Sequence, residues 1–382
     1  MMLLMGSVYS YGVFRLEIES VYGVGTFLSG VPYMTSLFFY AFAMMVAGRW
    51  LTSSRLAFFV FVGTLLIIAG WMISAWSDDF IWLIVGYGGF IGTGVGMVYG
   101  VPVYWIQNAY PRHRGWMTGV VLMGFGLSPL FSAPFASARL SQVGLSETFL
   151  IFGLLFLLTQ LPLALLFVRR SQADSPQAVI RPTPRSTASD GRKVPFWRLY
   201  GLFALATTIG LMMIGLSYRI GVAQYGFDGA DVTRSISFFA VLNGLARPLF
   251  GRMMDRYGFR RSAWLSLGLI ALAAGIGVLN QGRHLILYVG AFGLFWFSLG
   301  SWLAMLPAVV REYYGFELYA RKYGVMFTAY GIGAIVGTIV SGTILERFGG
   351  TTLLYGVILG MVLLGAVVVW RLPLGGSQAT QN

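Results

Sequence analysis

Long apolar runs separated by short basic turns are the feature that most limits what this chain can fold into. A run of about 20 apolar residues is long enough to cross a bilayer. Such runs recur near 1–14, 24–47, 56–76, 80–108, 115–138, 147–168, 196–222, 232–254, 262–281, 285–310, 323–345 and 350–370. The reading is an all-α membrane protein with twelve transmembrane helices, called spans one to twelve below. Hydrophobic residues make up 57% and charged residues 10% of the chain, against about 25% charged in soluble proteins. The first run, Met1 to Phe14, is short for a span. Tyr9 and Tyr11 belong within it, so a turn or more of helix before Met1 is expected.

The net charge of +13 invites a nucleic-acid reading, and its distribution argues against one. The basic residues sit in short loops between apolar runs, which is what membrane topology demands. Arg49, Arg55, Arg112, Arg169, Arg170, Arg252, Arg260, Arg311 and Lys322 fall in one set of alternate loops. The other set holds fewer: Arg15, Arg139, Arg283 and Arg347, with Arg219 and Arg234 near helix ends. The richer set, and both termini, are therefore expected in the cytoplasm. Short loops fit a bacterial inner membrane and a monomer is expected. There is no cysteine, hence no thiolate and no cysteine metal site.

One connection is long. Arg169 to Pro195 is rich in Ser, Pro and Arg, lacks apolar periodicity, and reads as a flexible cytoplasmic linker. It divides the chain into a six-helix bundle at 1–168 and a second at 196–371, with a cytoplasmic tail at 372–382. The two parts repeat. Gly48-Arg49 follows span two, and Gly251-Arg252 follows span eight, six spans later. Arg112 to Gly126 opens span five, and Ala320 to Gly333 opens span eleven.

The most unusual stretch is Ser235 to Arg261, which places Asn243 and Arg247 four residues apart inside an apolar helix. An arginine within a span costs several kcal/mol unless paired or hydrated. Its planar fork suits a carboxylate, and Asn243 lies on the same face one turn away. Two readings of Arg247 stand at this point. It holds an anion within the membrane, or its stem snorkels toward the cytoplasm, since Gly251 is one turn on.

Gly251-x-x-x-Asp255-Arg256-x-Gly258-x-Arg260-Arg261 resembles the cytoplasmic loop signature of the major facilitator superfamily. The copy in the first half, GRWLTSSR, lacks the Asp. Within that superfamily the chain resembles the monocarboxylate transporters and the oxalate:formate antiporters. The residues that carry this are Ala246-Arg247-Pro248, the stretch Tyr110 to Gly119, and the stretch Gly92 to Gly100. The resemblance implies two parallel six-helix halves that rock about a central site. It also implies that Arg247 holds the substrate carboxylate, with Asn243 beside it. Tyr99 and Tyr330 match positions near substrate in the relatives. Tyr9, Tyr11, Ser298 and Trp302 come from helices that line the cavity in this fold. The antiporters carry a lysine in span eleven where this chain has Tyr330, and many monocarboxylate transporters an Asp where it has Asn243. One cation at the site favours a monoanion, and the proton carrier is left unassigned.

At the loop signature, Asp255 is expected to cap the N-terminus of a neighbouring span and to pair with Arg256 or Arg260. With Gly251, that cluster would latch the cytoplasmic ends while the cavity faces outward. Plain positive-inside anchoring is the other reading of those charges. No enzyme, metal or cofactor is implied. His113 and His284 lie in loops on opposite sides of the membrane, and Gly331-x-Gly333-x-x-x-Gly337 lies inside an apolar helix with no strand before it. The expected function is symport of a proton with a small monocarboxylate such as lactate or pyruvate. Carboxylate exchange, or a non-transporting carboxylate sensor, is the alternative.

Overall fold

The computed structural model describes residues 1–76, 78–109, 114–173, 195–315 and 318–372. Most of the linker, the tail after Leu372, and Arg112 and His113 lie outside the described residues. Helices carry the chain throughout, with no strand among the described residues. Each expected run falls on helix. Among the described residues, nine helices are long and apolar enough to cross a membrane. One of these, Arg114–Ala173, contains both spans five and six and breaks at Gly144, where φ is 82°. A left-handed φ is a position where glycine carries no Cβ penalty. Span eight, Gly229–Tyr257, is not among the nine. It carries Asp231, Arg234, Arg247, Arg252, Asp255 and Arg256.

Span one differs from expectation. Its helix does not stop near Phe14 but continues as Tyr11–Tyr22, after a 3₁₀ stretch Gly6–Ser10. Arg15, expected in a loop, is buried on this helix at 4% exposure. The physical reason lies in distant acceptors. Arg15 donates to the carbonyls of Thr26 (2.5 Å) and Gly215 (3.2 Å) and to Ser29 Oγ (3.2 Å). Charge along the sequence signalled exposure, and tertiary partners reversed it.

The two parts of the chain meet along two long helix pairs. Span five packs on span eight, and span two (Val31–Trp50) packs on span eleven (Tyr319–Phe348). Both ends of this seam are closed. At the basic end, backbones touch. A Cβ on Gly251 would lie 2.2 Å from the Gly115 carbonyl oxygen. At the opposite end, Arg219 from Phe196–Arg219 pairs with Glu19 at 3.3 Å and also donates to Thr26 Oγ1. Ser29 Oγ donates to Glu19 at 2.8 Å, and Glu346 accepts from the Phe27 N–H at 2.7 Å.

Candidate functional site

Span eight begins at Asp228, whose carboxylate accepts from the Ala230 and Asp231 N–H groups. This is a conventional cap for the free amides of a first turn. Four turns further, the helix turns Asn243 and Arg247 into the seam. Both are fully buried, at 0% exposure, so Arg247 does not snorkel. Its Nη1 donates to the Leu122 carbonyl at 2.8 Å and its Nη2 to Asn243 Oδ1 at 3.1 Å. Asn243 in turn donates to the Trp296 carbonyl at 2.6 Å. The guanidinium carbon sits 5.6 Å from the Phe125 ring centroid. Span five comes this close because Gly119 and Gly126 face span eight. A Cβ on Gly119 would meet the Arg247 carbonyl at 2.4 Å, and one on Gly126 would meet Asn243 Oδ1 at 2.6 Å.

Arg247 Nε has no hydrogen-bond partner. Among the described residues, the ion pairs are Arg219–Glu19 and Arg234–Asp231, so no carboxylate neutralises Arg247. Taking an ion out of water costs several kcal/mol even after relaxation. Two neutral hydrogen bonds and a ring face recover only part of that. The site is therefore a buried cation lacking a counter-charge.

Around it stands a wall of aromatic rings. Tyr9 donates to or accepts from Tyr330 across the seam, with hydroxyls 2.7 Å apart. Tyr9 meets Phe125 edge-on at 5.2 Å and Trp296 at 6.5 Å. Tyr40 contacts Tyr99 (5.3 Å), Phe125 (6.2 Å), Phe327 (5.2 Å) and Tyr330 (5.5 Å). The Tyr99 hydroxyl lies within electrostatic reach of Arg247 and Tyr40 without closing a hydrogen bond of normal geometry. Phenol donors and ring faces suit a small carboxylate with a short apolar remainder.

The structure thus brings together Arg247, Asn243, Tyr9, Tyr99 and Tyr330. It places Tyr11 and Trp302 apart from this cluster. Tyr11 donates to the Ser29 carbonyl at 2.7 Å and stacks on Tyr33, so it belongs to the Arg15 and Glu19 end. Trp302 meets Phe259 edge-on at 6.1 Å and shares no ring contact with the cluster. Ser298 is buried with an unpartnered hydroxyl. Its carbonyl accepts from Ser301. Tyr40, Phe125 and Trp296 were not anticipated. For Tyr40 there was a signal. It lies eight residues before Gly48, as Asn243 lies eight before Gly251, so the repeat places both at one position of the two halves.

Asp255 caps the first turn of span five, accepting from the Gly115 N–H at 3.2 Å and the Trp116 N–H at 3.1 Å. Among the described residues no ion pair joins Asp255 to Arg256 or Arg260. Both carboxylate oxygens are directed to these amides, and Arg256 lies 5.3 Å from the Tyr257 ring centroid.

A membrane bundle in two repeating parts, closed over the buried Arg247, describes a secondary transporter by class. The sequence profile of the Major Facilitator Superfamily matches residues 1–279 and 220–380, and the chain belongs to that family. The oxalate:formate antiporter of Oxalobacter formigenes is 25% identical over 76% of this chain and 69% of its own length. Mouse monocarboxylate transporter 11 is 25% identical over 82% of this chain and 72% of its own. The crystal structure of the human organic anion transporter MFSD10 (TETRAN) superposes with a TM-score of 0.66 at 13% identity. It covers 96% of this chain and 98% of that one. At that identity the likeness is one of fold.

Proposed function

We propose that the protein carries small monocarboxylates across the cytoplasmic membrane together with a proton, by alternating access. The observation that carries this is Arg247, a buried cation without a carboxylate partner among the described residues. A substrate carboxylate supplies the missing charge, gripped by the guanidinium fork with Tyr9, Tyr99 and Tyr330 around it. The names of two relatives, an oxalate:formate antiporter and a monocarboxylate transporter, support a carboxylate as cargo. A single cation in the cage matches a monoanion such as lactate or pyruvate better than a dianion. In this reading the basic end faces the cytoplasm, and the two halves rock about Arg247, parting first one end of the seam and then the other.

Proton symport with a monoanion moves no net charge. Accumulation then follows the pH gradient, about tenfold per pH unit, and ignores membrane potential. In proteoliposomes, an inwardly directed pH gradient is expected to concentrate labelled lactate or pyruvate. A potassium-diffusion potential alone is expected to do nothing, and uptake driven by it would sink the symport reading. Exchange of one carboxylate for another is the second reading. It is favoured by Asn243, which stands where a carboxylate would carry the proton. Counterflow separates the two, since an exchanger needs internal anion and ignores the pH step.

The Glu19–Arg219 pair ties span one to span seven at the outer end, with both side chains largely shielded. Glu19→Gln removes the charge and keeps the shape. A pair of this exposure contributes on the order of 1 kcal/mol, which is roughly a fivefold shift in population. The chain has no native cysteine, so a thiol placed at Thr338, which packs against Gly30, is unique. Its labelling by an impermeant maleimide is expected to quicken by about that factor in the Glu19→Gln background. Unchanged labelling would remove this pair from the outer latch.

A further inference from the structure

We propose that the hydroxyls of Tyr319 and Tyr323 form a second carboxylate station, between Arg247 and the cytoplasmic surface, where the anion rests on its way through the basic end. The proposal rests on the carboxylate reading above. A groove at that end of the seam is lined by Met44 and Gly48 of span two, Gly100 and Tyr104 of span four, and Tyr319 and Tyr323 of span eleven. No acidic side chain lines it among the described residues. Tyr319 and Tyr323 are buried at 1% and 4% exposure, and neither hydroxyl has a hydrogen-bond partner. Buried donors are nearly always satisfied, so two adjacent unsatisfied ones in a groove point to an acceptor that comes and goes.

The placement is serial. Tyr323 lies within electrostatic reach of Arg247, Tyr99 and Tyr319, and Tyr319 within reach of Arg311. Tyr99, whose hydroxyl is also unpartnered, adjoins Gly100 of the groove. Phenol donors thus lead from the buried arginine toward the arginine at the end of span ten (Leu285–Tyr314). An anion is the ligand such a track attracts, since each step offers an O–H donor and both ends carry positive charge. The rings are fixed by stacking rather than by their hydroxyls. Tyr319 lies parallel to Tyr323 at 5.4 Å, and Tyr323 meets Phe327 at 5.8 Å. Beside the groove the two halves touch. A Cβ on Gly48 would meet the Ala320 carbonyl at 2.7 Å, and one on Gly324 would meet the Met44 carbonyl at 3.0 Å. Parting spans two and eleven there would connect the station to the cytoplasm.

The test is the double variant Tyr319→Phe/Tyr323→Phe, which keeps both rings and deletes both donors. Half-saturation for labelled pyruvate is measured at each face in proteoliposomes of known orientation, beside wild type. Loss of two hydrogen bonds to the charged anion is expected to raise half-saturation at the cytoplasmic face by about a hundredfold or more. The outer-face value is expected to stay within about twofold, since Arg247 and its cage are untouched. Unchanged values at both faces would overturn the station, and so would equal rises at both faces, which mark a general structural effect. A wild type that moves no member of a monocarboxylate panel would overturn the transport reading itself, and the station with it.

Discussion

Arg247→Ala is expected to abolish carboxylate uptake, and Arg247→Lys to lower it by at least about a hundredfold. The second figure follows from geometry. Arg247 spends one N–H on Leu122 and one on Asn243, and those two bonds orient the fork within the seam. The Nε and the remaining Nη hydrogens are left for the ligand. A lysine keeps the charge but offers a single point on a flexible stem and cannot make a two-pronged contact. Hydrogen bonds to charged groups contribute about 1.5–3 kcal/mol each. Loss of one prong with the anchoring bonds therefore reaches about a hundredfold. Folding should not suffer in proportion. A buried charge without a partner weakens the folded state, and replacing it by an apolar residue of similar size is often neutral or stabilising. Arg247→Met is thus expected to melt at or above the wild-type temperature while failing to transport. A ligand that binds only the folded protein raises its melting temperature. Pyruvate or lactate should do so for wild type and not for Arg247→Met. Near-normal uptake by Arg247→Ala would remove this residue from the site.

The positions of the spans were legible because hydrocarbon forces long apolar runs, and because the break between spans five and six coincides with Gly144. The extent of span one was not. Arg15 read as a loop residue, and only Ser29, Thr26 and the distant Gly215 carbonyl show why it stays helical and buried there. The same contrast holds at the site. Arg247 and Asn243 stood out because polar residues in a span are costly. Tyr40, Phe125 and Trp296 did not, since aromatic residues make up 16% of the chain and a single ring carries little information. Tyr11 and Trp302 show the converse. Both were placed at the cavity because their helices line it. Which face a helix turns inward is set by rotation against its neighbours, and the apolar pattern of a fully buried helix does not encode that rotation.

Gly251→Ala is expected to stop transport almost as completely as loss of Arg247, by a different route. The added Cβ would lie 2.2 Å from the Gly115 carbonyl oxygen, and Gly115 faces the Gly251 carbonyl at the reciprocal position. Neither contact involves a side chain that can swing aside, so the helices must separate by roughly 1 Å to reach ordinary carbon–oxygen distances. One turn further on, Asp255 caps the Gly115 and Trp116 amides at 3.2 and 3.1 Å. A separation of that size takes both bonds beyond useful range. The basic end then loses its backbone contact and its cap together, at about 1–2 kcal/mol for the cap alone. The protein should collect with this end open. A unique thiol at Met254, buried at 6% exposure in the closed seam, would label faster from the basic end. Pyruvate would still stabilise the variant against heat, because Arg247 and its cage are intact, and that retained binding separates a jammed transporter from an unfolded one. Asp255→Asn should fall between this variant and wild type, with transport reduced about threefold to tenfold, since it weakens the cap without forcing the backbones apart. If Gly251→Ala transports normally, spans five and eight do not need to close at this crossing, and a latch built on Asp255 cannot be what holds the basic end shut.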